Sequence, residues 1–217
     1  MEIVWYGLSS FRLTERGNAS VVTDPYADDF GYIHPRPKSD VVTISYDEAT
    51  RNNARAVRSA KLIITSPGEY EIGDVFITGI SVSSENNKKA QNTRRNNIYL
   101  FSYDSVNVCH LGGLGHLPKQ SDLDALGNVD VLLTPVGGGD LLSTSEVIEL
   151  ISMIQPRLII PMHFHTTRCR LKLPKIDTFL QQMGGGRAEL LDSVKVTASS
   201  LPSQSTVIIP MPVQPAK

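Results

Sequence analysis

Short runs in which apolar and polar residues alternate dominate the first half of the chain, and Gly, Pro and Asn separate them. Such runs, bounded by turn residues, are typical of β-strands. The second half alternates between apolar strand-like runs and helical patterns. The predicted strands are Glu2–Tyr6, Ser10–Thr14, Ser20–Thr23, Val41–Ser45, Leu62–Thr65, Tyr70–Ile72, Val75–Val82, Ile98–Tyr103, Val106–His110, Val129–Thr134, Arg157–Pro161, Ser193–Thr197 and Ser205–Ile209.

Three segments have the pattern of a helix. The first, about Ala49–Ser59, is rich in Ala, Arg and Asn. The second opens with Ser143 and Glu146, whose spacing predicts a capping box in which each side chain satisfies an amide at the helix start. The third, Pro174–Met183, ends at a run of three glycines.

Strands outnumber helices, and helices are predicted in both halves of the chain. Because the apolar face of a sheet must be covered, this arrangement favours two sheets packed face to face with helices outside. We therefore predict an α/β fold, a four-layer αββα sandwich of two mixed sheets. One domain is expected over residues 1–217, with two similar halves at about 1–105 and 106–217.

Composition narrows the class of protein. At 217 residues, with 41% hydrophobic and 20% charged residues, the chain has the composition of an ordinary globular protein. A formal net charge of -1 gives no reason to expect nucleic acid or an anionic membrane as a partner. The basic segment Lys88–Arg95 is interpreted as a solvated hairpin tip, with an anion or RNA contact as the alternative. Cys109 and Cys169 form no CxxC pair, and no signal peptide or membrane-spanning run is evident, so a cytoplasmic protein with reduced thiols is expected.

Five segments occur in a characteristic order and cover most of the chain: Trp5–Leu13, Val21–Tyr26, Ser66–Ile72, His110–His116 and Ile160–Phe164. Together they resemble the metallo-β-lactamase superfamily, in particular its small bacterial and archaeal lactonase-like hydrolases. In that family two metal ions share a water that becomes the hydroxide nucleophile.

The resemblance implies seven metal-ligand positions, and six of them no longer hold the family's ligand. The four positions of the family's His-x-His-x-Asp-His segment hold Tyr46, Glu48, Thr50 and Arg51. The next histidine corresponds to about Ser84, the bridging aspartate to Gly113, and only the last histidine is kept, as His163. A further histidine of the family, which is not a ligand, is replaced by Leu8.

Such a set predicts a protein that has lost its metals and the two-metal mechanism, with no cofactor. Since Arg51 is cationic at any relevant pH, we hypothesise that a Glu48–Arg51 pair, three residues apart, fills the place of the metal charge. The protein would then be a non-catalytic homologue that binds a small anion or a partner. The residues expected to line its cleft are Tyr46, Glu48, Arg51, Ser84, His110 and His163.

Two alternatives remain open from the sequence. One is a hydrolase or lactonase with a single divalent metal held by Glu48, His163 and Glu85, in which His163 is the candidate catalytic residue. The other is a structural subunit that stabilises an active relative, and a homo-oligomer also stays open.

Other catalytic patterns find little support. The chain lacks a Gly-x-Ser-x-Gly nucleophile elbow. Cys109 and His110 are neighbours in a predicted strand, so their side chains point to opposite faces and cannot form a dyad. Asp24, before Pro25, is interpreted as a structural turn carboxylate, and Asp47 as a helix cap.

Overall fold

The computed structural model describes residues 1–83, 95–185, 187–188 and 191–213. Ser84, Glu85 and the basic segment as far as residue 94 lie outside the described residues. The strands are β1 (Glu2–Gly7), β2 (Ser10–Thr14), β3 (Val21–Thr23), β4 (Val41–Thr43), β5 (Leu62–Ile64), β6 (Gly68–Ile72), β7 (Val75–Ser83), β8 (Arg95–Tyr103), β9 (Val106–His110), β10 (Val131–Pro135), β11 (Leu158–Met162), β12 (Arg187–Ala188), β13 (Val194–Lys195) and β14 (Thr206–Ile209). The α-helices are α1 (Gln120–Leu126), α2 (Thr144–Ile154) and α3 (Asp177–Gln182), and short 3₁₀ turns cover Asp28–Phe30 and Ala54–Ala56.

The strands form two mixed sheets. The first has the order β13-β1-β2-β3-β4-β5, in which β13, β1, β2 and β3 pair antiparallel and β3, β4 and β5 pair parallel. The second has the order β12-β14-β11-β10-β9-β8-β7-β6. Its strands β6 to β9 form an antiparallel meander, and β9, β10, β11, β14 and β12 are parallel.

Apolar side chains from both sheets form one large core cluster, which includes Trp5 and Phe11 from the first sheet and Phe101 and Ile160 from the second. Helices α1, α2 and α3 add Leu123, Val147 and Phe179, among others, to the same cluster. The prediction of two mixed sheets packed face to face is thereby confirmed.

The capping box of α2 is present as predicted. The Ser143 amide donates to Glu146 Oε2 at 2.8 Å, and the Glu146 amide donates to Ser143 Oγ at 3.4 Å. Helix α3 is shorter than predicted, and α1 was not predicted at all because its seven residues bury only Leu123 and Leu126.

The predicted helix over Ala49–Ser59 is wrong. The segment makes one turn, closed by Asn52 N–H donating to Glu48 O at 3.0 Å, and then the short 3₁₀ turn. Asn53 breaks the helix, because its amide donates to Pro25 O at 2.8 Å and its side chain donates to Tyr26 O at 3.2 Å, both outside the segment. Ala54, Val57 and Ala60 then pack on Val22 and Val42 of the first sheet, so an irregular segment covers this apolar surface in place of a helix.

The prediction that Asp47 caps this helix is also wrong, because the helix does not form. The Asp47 carboxylate instead accepts from the Asn52 side chain at 2.6 Å. Within the residues that the structure describes, none of the helices is long and apolar enough to span a bilayer.

Candidate functional site

The candidate site lies where parallel strands of both sheets end. Asp24 follows β3 and Ser45 comes soon after β4, its parallel neighbour. His110 ends β9, and His163 directly follows β11. Carboxyl ends of parallel strands meet at one edge of a sheet, and ligands of α/β folds bind at such edges.

Asp24 is the central acid of the site. It is fully buried and adopts a left-handed backbone with φ of 41°. Its Oδ1 accepts from the Ser45 amide at 2.7 Å, and its Oδ2 accepts from the Ser45 hydroxyl at 2.6 Å. Burial raises the pKa of Asp24 above its ordinary value, and the nearby His110, the Arg51 guanidinium and the Ser45 donors offset this only in part. The carboxylate thus fixes the turn after β4, which leads directly to Arg51.

Arg51 is 2% exposed, and its charge is shared by two carboxylates. Its Nη1 donates to Glu48 Oε2 at 2.7 Å, and its Nε lies 3.7 Å from Asp24 Oδ2. The guanidinium carbon also lies 5.2 Å from the centre of the Tyr46 ring, in cation–π contact. The predicted Glu48–Arg51 pair is therefore present, and Asp24 is a second acid that the sequence did not indicate. Asp24, Ser45, Tyr46, Glu48 and Arg51 are called the arginine cluster below.

Gly113 lies against the arginine cluster. A Cβ atom at Gly113 would be 2.9 Å from Arg51 Cζ and 3.1 Å from both Nη1 and Nη2. These nearly equal distances place that Cβ over the face of the planar group. The Gly113 amide is held by the Asn96 side chain at 2.7 Å, so the backbone cannot simply move away. Arg51 therefore occupies space that the bridging aspartate of the resembled family would need.

His163 forms the side of the site that belongs to the second sheet. It is buried, has φ of 56°, and its amide donates to Leu8 O at 3.2 Å. A Cβ at Gly137 would lie 2.2 Å from His163 O, so a glycine is required there. Burial, and secondarily the charge of Arg51, lower the pKa of His163 to about 3, so its imidazole is neutral at physiological pH.

His110 is fully buried, and its Nε2 lies 2.8 Å from the carbonyl oxygen of Ser9. A carbonyl only accepts, so Nε2 carries the proton and Nδ1 is left as the basic nitrogen. Burial lowers the pKa of His110 despite the nearby Asp24. Neither His110 Nδ1 nor His163 Nδ1 has a hydrogen-bond partner within the described part of the chain.

The structure brings Tyr46, Glu48 and Arg51 into direct contact, and Arg51 acts electrostatically on both His110 and His163. Ser84 lies outside the described residues. Sequence reasoning missed that Asp24 and Ser45 belong to the site. The available signal was an Asp-Pro pair directly after a buried strand, which places a carboxylate at the strand end.

Two metal ions do not fit the described donors. In residues 1–83, 95–185, 187–188 and 191–213, no three His, Cys, Asp or Glu side chains gather as a metal site requires. The centre of the arginine cluster is itself a fixed cation, which would repel an added ion in a poorly solvated interior. Thr50, whose hydroxyl donates to Glu48 Oε2 at 3.0 Å, offers only a neutral oxygen.

The two mixed sheets with this site at their edge define the metallo-β-lactamase class of fold. The family model described as the Beta-lactamase superfamily domain matches residues 2–163, and the chain belongs to that family. The predicted superfamily is confirmed.

Relatives in this family agree with that assignment. A UPF0173 protein of Pyrococcus abyssi is 28% identical over 190 residues, which cover 76% of this chain and 84% of the relative. A protein named UPF0173 metal-dependent hydrolase, from Thermoplasma acidophilum, is 25% identical over 195 residues with the same two coverages. The crystal structure of a Thermotoga maritima protein of the metallo-beta-lactamase superfamily, named as a candidate Zn-dependent hydrolase, has a TM-score of 0.79 and 28% identity. It covers 96% of this chain and 97% of its own.

Proposed function

We propose that this protein does not use the two-metal hydrolytic chemistry of its superfamily, and that it binds a small anion at Arg51 and His163. The observation that carries the proposal is the second guanidinium nitrogen of Arg51. Nη2 is buried and has no hydrogen-bond acceptor among the described residues. A buried donor left unpaired costs about 1–3 kcal/mol, and a phosphate or carboxylate oxygen would satisfy it.

The side chain of Glu48 controls the access of an anion to Nη2 of Arg51. This side chain is 41% exposed, while Arg51 beneath it is almost fully buried. The carboxylate of Glu48 is therefore both the cover of the site and a competitor for the guanidinium. An anion that accepts from Nη2 competes with the Glu48 carboxylate, which accepts from Nη1 of the same guanidinium, and neutral His163 adds one ring N–H donor without adding charge.

Phosphate binding tests this directly. We expect the purified protein to bind inorganic phosphate weakly in isothermal titration calorimetry, and the Glu48→Gln variant to bind it about threefold more tightly, since removing a competing charge on a partly exposed side chain is worth about 0.7 kcal/mol. Glu69→Gln, which removes an exposed carboxylate on the edge strand β6, serves as the matched control and should leave phosphate affinity unchanged. Equal affinities of the wild type and Glu48→Gln would contradict the proposal.

A single-metal hydrolase is the second candidate, and the names of the relatives favour it. Its ligands would be Glu48, His163 and Glu85.

Metal analysis separates the two functions. After purification without chelator, we expect zinc, manganese and iron each well below one equivalent in both the wild type and His163→Ala. Near-stoichiometric metal that is lost in His163→Ala would establish the enzyme instead.

A further inference from the structure

The groups around the guanidinium of Arg51 are those expected of a binding site for a guanidinium ion. The Glu48 carboxylate accepts a hydrogen bond from Nη1 at 2.7 Å, and the Asp24 carboxylate forms a longer ion pair, with Oδ2 3.7 Å from Nε. The Tyr46 ring lies 5.2 Å from its central carbon. Paired carboxylates and an aromatic ring are the groups that recognise a planar, weakly hydrated cation.

The remaining surroundings admit the flat group without repelling it. Gly113 lies against the guanidinium and adds no side chain there, where a Cβ would stand only 2.9 Å from Cζ. The two buried histidines on this side are neutral, because burial lowers the pKa of each. The recess around the Arg51 guanidinium thus contains two carboxylates, those of Asp24 and Glu48, and one cation, the guanidinium itself.

We propose that Asp24, Tyr46, Glu48 and Gly113 form a guanidinium site whose resident cation is the side chain of Arg51. The cation that the superfamily takes up as metal is supplied here by the chain itself. The site selects a planar cation over a metal ion, because its acids are arranged around a flat group and no third metal donor gathers with them within the described residues. This inference does not depend on anion binding and holds even if phosphate does not bind.

Chemical rescue tests it. In the full-length Arg51→Ala variant, the recess loses its cation and keeps both acids, so we expect the melting temperature to fall by about 10 °C. Guanidinium chloride at about 10 mM, where its denaturing effect is negligible because that effect scales with molar concentration, should restore about 3 °C or more of this loss. Sodium chloride at the same ionic strength should restore less than a third as much.

Arg55→Ala is the matched control, because Arg55 is an exposed arginine of the same segment. Neither Arg55→Ala nor the wild type should be stabilised by guanidinium. The inference is overturned if guanidinium has no more effect on Arg51→Ala than sodium, or if it stabilises all three proteins alike. Stabilisation by stoichiometric zinc chloride equal to that by guanidinium would also overturn it, since the recess would then be a metal site.

Folding failure of Arg51→Ala would leave the same question measurable. The variant is then refolded from urea with guanidinium or with sodium at equal ionic strength, and the folded yield is measured by circular dichroism. A higher yield with guanidinium supports the inference, and equal yields overturn it.

Discussion

Replacing Asp24 by asparagine is expected to lower the free energy of unfolding by about 3–5 kcal/mol, the usual cost of leaving one partner of a buried ion pair without the other. The substitution keeps the volume of the side chain. It also suits the backbone, because asparagine tolerates the left-handed conformation that Asp24 adopts at φ of 41°. The effect therefore reports the charge and its hydrogen bonds.

The hydrogen bonds account for the smaller part of this loss. In Asp24→Asn, the side-chain oxygen that remains can still accept from the Ser45 amide, and the Ser45 hydroxyl can rotate to accept from the new amide group. What cannot be replaced is the negative charge 3.7 Å from Arg51 Nε. Arg51 would then rely on Glu48 alone, which is 41% exposed and so screened by water.

Urea denaturation monitored by circular dichroism measures the change. Asp74→Asn is the matched control, because Asp74 also has a left-handed backbone, with φ of 59°, and is exposed. We expect that control to change the free energy of unfolding by less than about 0.5 kcal/mol. A loss below about 1 kcal/mol in Asp24→Asn would show that Asp24 contributes no charge that Arg51 needs.

The sequence predicted the features that depend on near neighbours. Glu48 and Arg51 are three residues apart, so a single helical turn is enough to bring them together, and that turn forms even though the predicted helix does not. The capping box at Ser143 and Glu146 is local in the same way. Strand positions followed from the alternation of residues such as Val21 and Val22, which contribute to different apolar clusters on the two faces of the first sheet.

Features that depend on distant parts of the chain could not be predicted. Asn53 leaves the helical pattern because Pro25 and Tyr26 offer it acceptors, and nothing within the segment itself indicates them. Asp24 joins Arg51 only because β3 and β4 are parallel neighbours whose ends meet. The match between Gly113 and Arg51 likewise requires the two sheets to be packed together.

Replacing Gly113 by alanine is expected to give the second large effect. The sign of the resulting change in the free energy of unfolding depends on whether Arg51 is present. The backbone of Gly113 lies outside the left-handed region, so alanine there causes no conformational strain and should stabilise the chain by about 0.4–1 kcal/mol through the unfolded state. With Arg51 present, the added Cβ would meet the guanidinium at 2.9 Å. Although an arginine head group usually moves aside easily, Arg51 is held by Asp24 and Glu48 and is buried, so we expect Gly113→Ala to destabilise the wild type by about 1–3 kcal/mol.

In the Arg51→Ala background the obstacle is gone, and Gly113→Ala should be neutral or stabilising. The double-mutant cycle should therefore give a coupling energy of about 1–4 kcal/mol between positions 51 and 113, measured by urea denaturation. The parallel cycle of Gly113→Ala with Arg55→Ala should give a coupling near zero, because Arg55 is exposed. A coupling near zero at Arg51 would mean that its head group does not need the space over Gly113. A large coupling would show that a side chain at position 113 and the arginine at position 51 compete for the same space.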